Sequence, residues 1–357
     1  MLTSDIFQQT RKNPAAAYRS SFESQVGNLI GNTVDYFRRI TRSYAVFNMS
    51  FLAFGFVEIL GLILFFPFFA KSSLVAFSLG AIFLTGFAYF ILRFYLEAKK
   101  PEQFLQLKQE FVESCRGLLA YEEKASESHL QITHIVYSLL EHLEGQEYQY
   151  YAASIYFKSL QPLLEKFSLW CHWHDVHQMK ELLHFYCIGQ RIEWIKLEPT
   201  NIEAHAALAQ AYEALYKLYI NPQRLGKQVP YAFIMKEYDS SSMVEKFQKA
   251  AERALEELKI LDAYIPQDPW IHSQMAAIYH DLELPDQEIT EYEMLRLILS
   301  DDKEILFKLG VLYFQQGRNA QGLRLYEELK RAKDPKAAAL IHFYDAYSQQ
   351  QFSLSNS

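Results

Sequence analysis

The chain reads as helix throughout: apolar residues recur at intervals of three and four, and no stretch of useful length alternates apolar and polar. Two runs break the amphipathic pattern. From Val46 to Phe69 the only charge is Glu58, and from Ser73 to Leu92 there is none. Each run has about twenty residues, enough to cross a hydrocarbon core of about 30 Å. The joint Ala70-Lys71-Ser72-Ser73 is too short to be a domain, so the runs predict a two-span transmembrane hairpin. Ahead of it, Ser21 to Arg42 predicts a helix with Phe22, Val26, Leu29, Ile30, Val34 and Phe37 near one face. After it, helices are predicted from Pro101 to about Glu123, His129 to Leu143, Tyr148 to Phe167 and Trp173 to Leu197.

The stretch from Asp268 to Lys336 repeats itself at a spacing of 34 residues. Met275 returns as Leu309, Ala276 as Gly310, Tyr279 as Tyr313, Tyr292 as Tyr326 and Leu295 as Leu329. A period of that length, made of two amphipathic helices, marks units that bury their apolar faces only by stacking on neighbours. The helix from Ile202 to Leu218 carries Leu208, Ala209 and Tyr212 at the spacing of Leu309, Gly310 and Tyr313.

These residues resemble the tetratricopeptide repeat (TPR) family: a large residue, a small one, then Tyr three later, followed by a small residue and an aromatic on the second helix. The last unit matches at Leu306, Leu309, Gly310, Tyr313, Gly317, Gly322, Tyr326 and Pro335. In the middle unit Glu283 stands for the turn glycine and Glu288 for the small residue, so that pair is expected to pack less closely. The first unit is interrupted by about thirty-three residues, within which Tyr231 to Met235 is apolar. Ala337 to Gln349 is the expected closing helix, with Leu340, Phe343, Tyr344 and Tyr347 inward. The expected fold is all-α, a membrane hairpin followed by an α-solenoid of TPR-like helix pairs. Its segments are a basic arm with an amphipathic helix (1–45), the hairpin (46–96), a helical connector (97–198), repeats with an insertion at 216–248 and a capping helix (199–350), and a tail (351–357).

The resemblance implies a binding groove lined by the first helix of each unit. Its places fall on Glu203, Ala206, Gln210 and Glu213, then Trp270, Ser273, Ala277 and His280, then Glu304, Phe307, Val311 and Phe314. Only His280 among them is basic, so this is not a clamp for a terminal carboxylate. Trp270, Phe307, Val311 and Phe314 instead form an aromatic strip suited to an amphipathic helix, unless the chain's own Tyr231–Met235 fills it.

Charge adds a setting. Residues 1–45 hold six Lys/Arg against three Asp/Glu, whereas residues 97–357 hold 27 against 38. The acidic body argues against nucleic acid, and the basic arm suits an anionic membrane face. Arg38, Arg39 and Arg42 precede the first run and Arg93, Lys99 and Lys100 follow the second, while the turn has only Lys71. The positive-inside rule then puts both termini in the cytoplasm, with a bacterial inner membrane as the expected site. Three cysteines, Cys115, Cys171 and Cys187, make no disulfide framework, and Met1 to Tyr18 has no apolar core of a signal peptide. In plan alone, a hairpin after a short polar N-terminus also resembles the inclusion-membrane proteins of chlamydiae, which bind host factors.

Candidate chemistry is sparse. No phosphate-binding loop, nucleophile elbow or zinc-protease helix is present, and no cofactor is implied. His174, His177, His184 and Cys187 lie near one stripe of a helix and are the candidate metal ligands of an alternative reading, a membrane-bound metal-dependent enzyme; core packing is the plainer role. Glu58, inside the first run, is expected either to pair across an oligomer or to hydrogen-bond Ser78 or Thr85 of its own hairpin. Gly55, Gly61, Ala76, Gly80 and Gly86 offer surfaces where the spans approach closely.

Overall fold

The computed structural model describes residues 14–69, 73–119, 121–123, 125–151, 159–224 and 232–355, with no side-chain account for 14–21, 68–69, 232–233 and 347–355. Among the described residues there are twelve α-helices and no strand. The chain divides into two compact units, Met1–Gln190 and Arg191–Ser357.

In the first unit two very long helices carry both the apolar runs and a core. Helix α1, Pro14–Phe69, joins the expected amphipathic helix to the first run without a break. Helix α2, Leu74–Leu119, does the same for the second run and passes through Pro101. The apolar windows of both are long and apolar enough to cross a membrane, and neither is buried in the protein. The other half of each helix buries one face. Ile30, Val34 and Phe37 of α1 meet Phe104, Leu107 and Phe111 of α2, together with α3 (Ser126–Leu143) and α4 (Gln161–Leu197). Phe37 and Phe104 lie with ring centroids 5.2 Å apart.

The basic arm and the helical connector, separate segments in the sequence, therefore share one four-helix core. Two expected helices also change: Gln146–Tyr148 is a 3-10 turn, and one α4 of 37 residues replaces the break expected between Phe167 and Trp173. Residues 152–158, part of the first of those helices, lie outside the described residues. The reason α4 is continuous is its inner face: Leu169, Val176, Met179, Leu183 and Cys187 are all buried, and nothing in 168–173 breaks a helix.

In the second unit, α5 (Ile202–Tyr219) packs on α7 (Ser241–Tyr264), α8 (Pro269–Asp281) on α9 (Pro285–Ile298), and α10 (Lys303–Gln315) on α11 (Asn319–Arg331). The closing helix α12, Lys336–Ser355, packs on α10 and α11 and buries Ala337 and Leu340. Phe343 and Tyr344 are half-buried against the same core, while the side chain of Tyr347 lies outside the described residues. The insertion is shorter than 216–248, because α5 runs to Tyr219 and Ser240 caps α7, accepting from the Met243 amide at 3.4 Å. Between them sits the short α6, Ala232–Tyr238, which packs on α7.

The 34-residue period is written into the backbone. Asp268 and Asp302 cap α8 and α10, each accepting at 2.8 Å from the amide two residues on. At the other ends the Leu284 amide donates to the Tyr279 carbonyl at 2.9 Å, and the Arg318 amide to that of Tyr313 at 2.8 Å. Gly317 makes its turn with φ +69° and Glu283, at the same place one repeat earlier, with φ +58°.

Candidate functional sites

The residues that carry the TPR resemblance are where close packing requires them. Leu208, Ala209, Met275, Ala276, Tyr279, Leu309 and Tyr313 are buried, and Tyr212, Tyr292 and Tyr326 half-buried. A Cβ on Gly310 would stand 2.7 Å from Leu340 Cδ2, so this glycine lets α12 close on α10. A Cβ on Gly322 would stand 2.5 Å from the Phe314 ring. That second contact corrects the groove. Phe314, placed on the open face by its register, is fully buried, seated over Gly322 with its centroid 4.7 Å from that of Tyr344.

One repeat earlier the pair Phe314 and Gly322 becomes His280 and Glu288. Here the carboxylate fills the place left open by glycine, and the ring turns outward and bonds it at 3.2 Å. Glu288 is 8% exposed in its side chain and His280 69%. Burial raises the Glu288 pKa, and the charge of His280 and its hydrogen bond act against that shift.

The remaining groove places stay open to different degrees. Ser273, Ala277, His280, Gln210, Glu203 and Glu304 are exposed, and Trp270, Phe307, Val311, Ala206 and Glu213 half-buried. Of the apolar insertion, Ile234 is buried and Met235 half-buried, whereas Tyr231 and the side chain of Phe233 lie outside the described residues.

Two buried histidines lie outside what the repeat pattern predicts. His205 of α5 bonds Glu257 of α7 at 2.7 Å and the Pro199 carbonyl at 3.1 Å. His272 of α8 bonds Glu291 of α9 at 2.7 Å and the Pro266 carbonyl at 3.1 Å. Each ties the loop before its helix to the second helix of its own pair. The signal is present in the sequence as Pro-x5-His, with a partner Glu at unequal distances downstream.

The first unit holds a polar layer beside the four-helix core. Lys100 bonds Asp175 at 2.8 Å, and Asp175 is nearly inaccessible. Burial raises its pKa against the pull of Lys100. His172 stacks on Tyr150 at 3.8 Å and bonds the Tyr151 hydroxyl at 3.1 Å. Burial, with help from Lys100 and Arg42, lowers its pKa to about 4. The Tyr150 hydroxyl meets Thr41 at 3.0 Å, and Arg42 donates to the Tyr150 carbonyl at 2.7 Å.

The candidate metal ligands on α4 disperse. His174 is exposed, His177 stacks on Trp173 at 4.9 Å, His184 meets the Tyr137 ring edge at 6.3 Å, and Cys187 is in the core. Among the described residues no three His, Cys, Asp or Glu side chains converge on one point.

In the hairpin, Thr85 donates to Glu58 at 3.1 Å and Tyr89 to Asn48 at 3.2 Å. The spans do not approach closely at their glycines: nothing lies within 4 Å of a Cβ built on Gly55, Gly61, Gly80 or Gly86. Ring contacts join Phe47 and Phe51 of α1 to Tyr89 of α2.

No protein-family model and no curated protein matches the chain. Among solved structures it is similar to a thermophilic TPR protein of Thermus thermophilus, at 18% identity over 71% of this chain and 99% of that one, with a TM-score of 0.28. What defines the second unit is its own repeat, caps and packing.

Proposed function

We propose that the chain is a membrane-anchored, non-enzymatic scaffold whose second unit receives a protein segment. The anchoring half rests on one observation. The apolar windows of α1 and α2 are wholly outside the core, while one face of the other half of each helix is inside it. A core helix of a soluble protein would show the reverse. Twenty-residue apolar surfaces of this kind are stable in lipid and not in water. The flanking Arg38, Arg39, Arg42, Arg93, Lys99 and Lys100 favour a cytoplasmic location for both ends. Reporter fusions at residue 40 and residue 357 should both read cytoplasmic, and release of the protein by alkaline extraction would contradict the anchor.

The binding half rests on the half-buried apolar side chains Trp270, Phe307 and Val311 on the first helices of two repeats, with His280 the one basic residue among the groove places. Aromatic side chains held in this way commonly dominate an interface, and an amphipathic helix is the partner such a strip fits. The test is co-purification of partners with the detergent-solubilised full chain and with the Trp270→Ala/Phe307→Ala double variant. A folded variant that recovers the same partners at the same yield removes the groove from the proposal.

A further inference from the structure

We infer that the N-terminal end of α4 is a third membrane contact, a shallow one, made by the stripe Leu163, Phe167 and Trp170. The inference rests on the membrane reading of the hairpin. These three residues recur at intervals of four and three, hence on one side of the helix. Leu163 and Trp170 are 63% and 65% exposed, whereas Ser168, Leu169 and His172, on the other side, are completely buried.

The direction of α4 follows from its partners. At its far end α4 places Gln190 against Tyr121 and His129, which follow the end of α2. Near its middle Asp175 bonds Lys100, close to the apolar run of α2. Helix α4 therefore runs away from the apolar hairpin, and its N-terminus points back toward it.

Two separate anchors give the depth, at 1.5 Å of rise per residue. Lys100 lies eight residues beyond Leu92, about 12 Å past the end of the apolar run. Leu163 lies twelve residues before Asp175, about 18 Å back, which puts it about 6 Å inside the hydrocarbon edge. The second anchor is Ser168, which accepts from the Tyr150 amide at 3.2 Å and donates to the Glu147 carbonyl at 2.7 Å. Tyr150 in turn holds Thr41 and Arg42 of α1. Thr41 is five residues before Val46, so Ser168 lies about 7 Å outside the edge and Leu163 about level with it.

The two routes place Leu163 between level with the edge and about 6 Å inside it, and Trp170 about 5 to 10 Å outside, among the headgroups. That is the depth at which interfacial helices bury their apolar faces and at which Trp concentrates. Phe94 and Tyr95 of α2, 68% and 60% exposed, lie about 3 to 5 Å outside the edge by the same count, between Leu163 and Trp170 in depth. The occupant of the stripe is thus the lipid interface and not a protein groove.

The experiment uses the full chain in vesicles of phosphatidylethanolamine and phosphatidylglycerol, with bromine carried on the acyl chain either near its carbonyl end or near its methyl end. Trp170 emission is the difference between wild type and Trp170→Phe; a second reporter, Phe83→Trp in the Trp170→Phe background, reads the second span. The expected result is loss of Trp170 emission to shallow bromine and much less to deep bromine, with Phe83→Trp quenched as well. If Phe83→Trp is quenched and Trp170 is not, the contact by α4 is overturned and the hairpin stands. Cross-linking of Leu163→Cys between protomers in that case would show a second copy on the stripe. If neither is quenched, the membrane reading itself fails.

Discussion

Glu283 holds a backbone conformation that its own side chain opposes. Its φ of +58° matches the +69° of Gly317 one repeat later, and an L side chain in that region costs about 1–2 kcal/mol. Its ion pair with Arg224 at 2.9 Å is well exposed on both sides and offsets little of that. Glu283→Gly is expected to raise the stability of the second unit by about 1 kcal/mol or less, since glycine also loses more freedom on folding. A lowered thermal midpoint would show that the Arg224 pair outweighs the backbone. His272 supplies a pH dependence. Burial opposes its protonation, but the bonds to Glu291 and the Pro266 carbonyl and the charges of Glu291 and Asp262 outweigh burial, so its pKa lies above the usual 6.5. A group raised in the folded state stabilises fully below its unfolded pKa and loses that contribution as pH rises through the folded value. The melting temperature of the second unit should therefore fall as pH climbs above 6.5, and His272→Gln should flatten that part of the curve.

At the scale of helix pairs, the close approaches are set by glycines that something fills. Gly310→Leu would drive its Cβ to 2.7 Å from Leu340 and is expected to cost about 1–3 kcal/mol in thermal or chemical unfolding. The His280–Glu288 and Phe314–Gly322 pairs are two solutions to one crossing, and they should exchange only together. His280→Phe alone would seat a ring on a filled position, and Glu288→Gly alone would leave a hole. The double variant should be more stable than the two single changes predict by about 1 kcal/mol, a coupling that a double-mutant cycle measures directly. Helix pairs also mark how far sequence can be read. Gly310 and Gly317 are legible because their surroundings recur within one period. Register places Phe314 outward because it cannot see that Gly322, on the next helix, makes room for the ring. The continuity of α1 and α2 is hidden for another reason: composition changes sharply at Val46, and Pro101 reads as a helix start. Buried Phe37 and Phe104 on the far sides of those points hold the helices together through them.

For the whole molecule, the division that matters lies within α4, between Gln190 and Arg191, and not after the hairpin. A fragment cut at residue 97 to remove the apolar runs would keep Phe104, Phe111, Ile132, Val136 and Met179 but lose Ile30, Val34 and Phe37, which share their core. Truncating single core side chains costs about 2–5 kcal/mol, and this cut removes a whole helix face from a domain whose net stability is of order 5–15 kcal/mol. The second unit loses nothing of that kind, because α5 to α12 pair among themselves and Trp194, buried, follows the boundary. Residues 191–357 should purify as a helical domain with one cooperative thermal transition. Residues 97–357 should show the same transition with a protease-sensitive N-terminal part, cleaved before residue 191 at low enzyme levels. Equal protection of both parts would mean that the α2–α3–α4 packing stands without α1, and that the amphipathic half of α1 is an accessory to the first unit.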